Sequence, residues 1–531
     1  MGRSGMYDYV IVGAGSAGCV LAARLSEDPE TSVLLLEAGP PDVNPNVHVP
    51  LGYLSLARTE VDWDYASAPE PNCNGRRVSL PRGKVLGGSS STNAMVYIRG
   101  NRRDYDDWDA PGWAWEDLFP YFLKAEDNER GASEWHAVGG PLPVSDQRSG
   151  NAISPAFVEA AVEAGLTRNE DFNGAEQDGA GMYQLTQRGG MRASAAVSYL
   201  HPASERPNLT VMPYMHVNRV LFEGVRAVGV EATQLGQAQE LRAEREVILC
   251  GGAYNSPKLL MLSGVGPAEH LAMREVELLL DQPAVGENLG DHPASYTVWT
   301  TPEPESLLAA LEPAAMAEFE ASQTGPFASN LAEAGAFARV GAGAEAPDVQ
   351  FHFAPIHIVE EGMGDPQAHG VWVSPCLLTA ESRGSVRLAS NDPTAMPIIR
   401  NAFYESEADM TRMIEAERLA QEICAQPSLK PYCAAPFTGP SDDSDGALRA
   451  HIAATTYEIY HPVGTCAIGS VVDAELRVEG LESLRVIDAS VMPTVPRGNT
   501  NAPTIAIAER AADLIRYGKP LAAEAGAMEA A

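Results

Sequence analysis

Short apolar, β-branched runs alternate along the chain with stretches of helical pattern, and the first such run gives way at once to glycine. Tyr9-Val10-Ile11-Val12 reads as a buried strand, Gly13-Ala14-Gly15-Ser16-Ala17-Gly18 as a turn opening a helix, and Leu34-Leu35-Leu36 as a second strand ending on Glu37. The clearest later strands are predicted at 211–220, 246–250 and 484–488. This alternation predicts an α/β class with two domains. Because the strands lie far apart in sequence, the second domain is expected to be inserted between pieces of the first. Residues 1–155, 200–292 and 462–520 are assigned to a Rossmann-like domain. Residues 156–199 and 293–461 are assigned to a domain of antiparallel sheet and helices, and 521–531 to a frayed tail.

Within the insert, 303–345 is rich in Ala, Glu and Gly and reads as helices with loose connections. Residues 348–357 read as a strand, and breaks at Pro355, Pro375, Pro393 and Pro397 suggest several short antiparallel strands.

The opening turn carries the first chemistry. Gly13 permits the sharp exit from the strand, Gly15 lets backbone approach a pyrophosphate, and Gly18 lets the helix pack on its strand. Free N–H groups around Ser16 and Ala17 would face phosphates at the helix N-terminus. Glu37, nineteen residues beyond Gly18 and next to Ala38, stands where a carboxylate accepts ribose hydroxyls and disfavours a 2′-phosphate. The turn implies a dinucleotide and leaves NAD or FAD open.

With 531 residues the chain exceeds what one hydrophobic core supports. No apolar run reaches the ~20 residues of a membrane span. Strand pattern begins at Tyr7 without a basic-then-apolar leader, so a cytoplasmic location is expected. A net charge of −34 argues against a nucleic-acid partner. Seven dispersed cysteines without CxxC spacing fit reduced thiols and no structural zinc.

Three blocks then narrow the reading. The first runs from Pro81-Arg82-Gly83 through Gly87-Gly88-Ser89-Ser90-Ser91-Thr92-Asn93-Ala94-Met95-Val96 to Gly100. The second runs from Gly251-Gly252 through Ser256-Pro257 to Pro267, and the third from Tyr460-His461-Pro462 to Asn499-Thr500-Asn501-Ala502-Pro503-Thr504. By its residues, the first is a bare backbone rich in donors, and the second is another strand–turn–helix, with Ser256 as helix cap. Together the blocks resemble the glucose-methanol-choline (GMC) oxidoreductases, over nearly the whole chain.

The resemblance implies FAD as the cofactor. It places Val85, Gly88, Asn93, Ala94, Met95 and Val96 against the flavin end and Val217 against adenine. Asp488 and Ala489 with Asn501, Pro503 and Thr504 become further cofactor contacts. Members similar to choline oxidase attach FAD covalently through a histidine at the position of Thr92. Threonine cannot form that bond, so non-covalent FAD is expected.

His461 precedes a proline and is therefore extended. The resemblance makes it the catalytic base, with Asn499 as a donor to the developing alkoxide. Alcohol oxidation needs a proton taken from the hydroxyl and a hydride from the same carbon, which a neutral histidine and flavin N5 supply. The expected reaction is oxidation of a primary alcohol to an aldehyde, with oxygen or another acceptor reoxidising the flavin. The alternative is a hydroxynitrile-lyase-like enzyme that holds FAD without redox turnover. His201-Pro202 and His292-Pro293 read as structural, and His352 and His357, an odd number apart, as opposite faces of one strand, which excludes a metal pair.

Overall fold

A computed structural model of the chain describes residues 6–358, 366 and 368–520. Two sheets carry the architecture. In the first, the strands run in the order 209–212, 33–36, 6–12, 237–249, 226–234 and 216–223, with Leu484–Val486 paired beside Gln237–Leu249. Pairing is parallel around Met6–Val12, as expected of strands buried on both faces, and antiparallel in the 216–249 meander. Val10, Ile11, Val33, Leu34 and Leu35 are fully buried there. The helices Ser16–Leu25 and Asn501–Tyr517 pack against each other, and Arg24 joins them through the buried Glu509 at 2.8 Å.

The second sheet is antiparallel, in the order 435–438, 297–300, 370–377, 349–354, 334–338 and 179–182. Helices Ile153–Glu163 and Glu407–Ala425 pack on it, Phe157 stacking on Phe353 with ring centroids 4.6 Å apart. Both sheets and their helices agree with the expected mixed α/β, two-domain class.

Three local expectations change. The single strand at 211–220 is two, Leu209–Met212 and His216–Glu223, because Tyr214 turns through a left-handed φ of 57°. That turn carries the chain from one end of the strand order to the other. The stretch 303–345 holds the helix Pro313–Ser322 but also the strand Ala334–Ala338. That strand is buried on both faces and, apart from Phe337, built of Ala and Gly, so it shows no polar alternation. A Cβ on Gly335 would stand 2.0 Å from the Tyr183 hydroxyl and 2.2 Å from the Phe351 carbonyl. The strand expected at 348–357 ends at Ala354, so its parity does not extend to His357. The expected tail, 521–531, lies outside the described residues.

Candidate active site

A cavity of about 430 Å³ runs from the opening glycine turn to His461. At one end the strand Met6–Val12 delivers Gly13, at φ 101°, where a Cβ would lie 2.5 Å from the Cys250 carbonyl oxygen. Gly18 is held as closely, with its Cβ position 1.9 Å from the Gly13 oxygen, so it packs the helix onto the strand without lining the cavity. Gly15 meets only the Gly88 Cα, at 4.0 Å, and is open to the cavity beside Ser16 and Ala17. Ser16 Oγ donates to Asn501 Oδ1 at 2.7 Å, linking the N-termini of two helices at this wall.

Glu37 accepts the Ala14 N–H at 2.9 Å on one oxygen and the Gly39 N–H at 2.9 Å on the other. Burial raises its pKa to about 7 against those bonds. Each carboxylate oxygen has a further lone pair for a hydroxyl. Ala38, Val217, Asp488, Ala489, Asn501 and Thr504 line the same cavity, as do Gly88, Asn93, Ala94, Met95 and Val96. Asp488 spends its carboxylate on the protein, accepting from Gly252 N and Ser256 Oγ on Oδ2 and from Ser490 N on Oδ1. Asn93 Oδ1 accepts from Met95 N at 3.0 Å and Arg192 Nη1 at 2.7 Å, which turns its NH₂ the other way.

Two residues expected as contacts are not on the cavity wall. Val85 is fully buried in a small apolar cluster with Val47, Leu56 and Val61, so its side chain is committed to packing. Pro503 is buried in the first turn of Asn501–Tyr517, off the cavity wall.

At the other end His461 and Asn499 meet, with Asn499 Nδ2 3.2 Å from His461 Nε2. Asn499 follows Gly498, at φ 132°, just before the helix Asn501–Tyr517, and its Oδ1 accepts from Gln350 Nε2 at 3.4 Å. Gln350 also donates to the Tyr183 hydroxyl at 3.0 Å. His461 leaves the strand Tyr457–Glu458 through Tyr460 at φ 67°. Its N–H donates to Asp291 Oδ1 at 3.0 Å.

His292, expected to be structural only, places its Nδ1 3.0 Å from His461 Nδ1. The strands 293–294 and 457–458 pair antiparallel, Pro293 opposite Glu458, and so bring the two His-Pro segments together. The repeated His-Pro pattern was the available signal; what it lacks is any hint of strand partner. Burial first, then His292, His352 and Arg82, hold the His461 pKa well below the ordinary histidine range. Burial likewise brings His292 to about 3 and His352 to about 4.

His352 lines the cavity; His357 does not, its ring lying 4.3 Å from that of Phe437. No group of three potential metal ligands occurs among the described residues.

Residues 7–294 match the N-terminal model of the GMC oxidoreductase family and 380–508 its C-terminal model. The chain belongs to the GMC oxidoreductase family. It is 43% identical to an alcohol dehydrogenase [acceptor] of Pseudomonas putida, over 96% of each chain. It is 42% identical to the mitochondrial choline dehydrogenase of Mus musculus, over 96% of this chain and 89% of the other. Its fold is similar to the crystal structure of a pyridoxine 4-oxidase from Mesorbium loti, with a TM-score of 0.88 and 32% identity over 96% and 99% of the two chains.

GMC oxidoreductases are FAD enzymes, and the cavity of this member fits that group. Gly15 and Gly88 leave bare backbone that would let a phosphate approach, Glu37 would accept ribose hydroxyls, and Asn93 lines the same cavity. The lyase alternative finds no support in these relatives, which are dehydrogenases and an oxidase. No helix among the described residues is long and apolar enough to cross a membrane.

Proposed function

We propose that this chain oxidises a primary alcohol to its aldehyde at the His461 end of the cavity, with FAD in the remainder. The observation that carries the reading is the 3.2 Å approach of Asn499 Nδ2 to His461 Nε2 on the wall of the cavity that also holds the glycine turn. Alcohols are the donors in the names of both curated relatives.

Nε2 of His461 is the proton acceptor, since Nδ1 is engaged by His292. That role requires a hydrogen on Nδ1, donated to His292 Nδ1, and gives the Nε2 lone pair to the substrate hydroxyl once that hydroxyl displaces the Asn499 N–H now 3.2 Å away. Burial keeps the ring neutral at pH 7, the form able to accept. As the hydroxyl proton moves to Nε2, the Asn499 N–H, oriented by Gln350, is freed to bond the alkoxide. FAD, when bound, supplies the acceptor for the hydride leaving the same carbon.

Gly13, Gly15, Ser16, Ala17 and Glu37 would hold the nucleotide half, and Gly88 to Val96 the flavin half. Thr92 lines the cavity and carries no imidazole to form the histidine-type covalent link, which supports dissociable FAD. The separation of the strands between two sheets supports a division into 1–155, 200–292 and 462–520 against 156–199 and 293–461, with the 155/156 boundary falling inside the helix Ile153–Glu163. Seven free, buried cysteines support a reducing, cytoplasmic setting, and a net charge of −34 supports a small-molecule substrate over nucleic acid.

The test is anaerobic mixing of the yellow protein with a panel of primary alcohols. The reading predicts loss of visible flavin absorbance with one aldehyde formed per flavin. Cleavage of a cyanohydrin with the flavin unchanged would replace it by the lyase reading.

A further inference from the structure

Arg192, which closes the two-residue strand Met191–Arg192, is a buried cation that pairs with no carboxylate among the described residues. It is 2% exposed. Its Nε donates to the Val47 carbonyl at 2.7 Å, and its Nη1 to the Ser90 carbonyl at 3.2 Å and to Asn93 Oδ1 at 2.7 Å. The guanidinium carbon stands 6.0 Å from the centre of the Tyr53 ring. All these partners are neutral, and Nη2 is buried with no acceptor among the described residues. Of the other buried arginines, Arg99 pairs with Glu126 at 2.8 Å and Arg485 with Glu246 at 2.6 Å, while Arg510 lies over the Trp113 ring at 4.9 Å, away from the cavity wall.

A guanidinium taken out of water without a counter-charge is costly to keep. Burial lowers its pKa to about 9, which still leaves it charged at neutral pH. Three of its neighbours, Tyr53, Ser90 and Asn93, line the cavity. The missing negative partner is therefore to be sought in what the cavity takes up.

We propose that Arg192 is the electrostatic partner of the flavin, its fixed charge favouring the reduced over the oxidised cofactor while its bond to Asn93 aims that amide into the cavity. Accepting a hydride adds one negative charge to the cofactor, and in a low-dielectric site a nearby cation stabilises that charge. The inference rests on the proposed function, because it needs FAD in this cavity.

The experiment compares FAD-loaded wild type with Arg192→Gln and Arg192→Lys, reading the reduction potential of the bound flavin. The expected result for Arg192→Gln is a potential lower by at least a tenfold change in the oxidised-to-reduced ratio, about 30 mV for a two-electron couple. Arg192→Lys, which keeps the charge, should retain most of the wild-type value. A wild-type potential in Arg192→Gln, or an equal drop in Arg192→Lys, overturns the proposal in favour of a purely structural arginine.

If Arg192→Gln is isolated without flavin, its apoprotein is titrated with oxidised and with dithionite-reduced FAD. A larger loss of affinity for the reduced form supports the charge role, and equal losses refute it. Wild type that binds no FAD would overturn both this and the proposed function, whereas FAD-bound variants of unmoved potential overturn this alone.

Discussion

Nδ1 of His461 lies 3.0 Å from Nδ1 of His292, with the two imidazole planes at 89°. One nitrogen must donate and the other accept; with His461 Nε2 proposed as the proton acceptor, His461 Nδ1 carries the hydrogen and His292 Nδ1 accepts it. Replacing it by alanine leaves a buried N–H unpaired, a loss of about 1–3 kcal/mol. We expect His292→Ala to lower kcat roughly 10- to 100-fold. His292→Asn, which returns an acceptor, should recover part of it. Steady-state rates across pH, at matched flavin content, check this; a His292→Ala enzyme with the wild-type rate and profile would remove His292 from the relay.

Asn499 is held by Gln350 and faces His461 Nε2. Its truncation to alanine removes the donor proposed for the developing alkoxide, worth about 2.7–4 kcal/mol in comparable sites. Flavin reduction by alcohol should slow by about 10²- to 10³-fold with FAD occupancy unchanged, as measured by rapid mixing.

Gly88 has φ 54° and faces Gly15 so closely that a Cβ would stand 2.6 Å from the Gly15 Cα. Gly88→Ala should therefore fold but lose most of its flavin, since the added methyl pushes apart the two backbones that must approach a phosphate. The ratio of visible to 280 nm absorbance reports the loss, and a fully yellow variant would show that the flavin lies elsewhere.

The nucleotide half was readable because its constraints are local. Gly13, Gly15, Gly18 and Glu37 lie within one strand–helix–strand unit, and their spacing encodes their geometry. The His461 end was readable only in part, because His292 reaches His461 through strand pairing, and Gln350 reaches Asn499 from the second sheet, each across more than a hundred residues. Sequence periodicity carries no record of such partners. Val85 shows the reverse case, where a residue in a motif turned inward to pack. The strand Ala334–Ala338 is not legible in the sequence because burial on both faces, by Ala, Gly and Phe337, erases the polar alternation that marks a strand.

A separate buried network predicts how stability responds to pH. His136 donates toward Asp171 and Glu126, each at 2.9 Å, and Glu126 also takes Arg99. Against the cost of burial, the Asp171 and Glu126 bonds raise the His136 pKa to about 9. A raised pKa means that its contribution is complete below the unfolded value of about 6.5 and is lost as pH climbs through 9. Wild type should thus lose denaturant stability between pH 7 and 10 more steeply than His136→Gln. Parallel curves would exclude a charged His136.

The central claim is that His461 takes the hydroxyl proton while the same carbon yields a hydride to FAD. Anaerobic stopped-flow on FAD-loaded wild type and His461→Ala, with one reactive primary alcohol, tests it most directly. The account predicts that wild type bleaches fully and that the variant bleaches more slowly by about 10²- to 10⁴-fold at equal flavin content. Equal rates in the two proteins, or a wild-type flavin that no alcohol reduces, would contradict it.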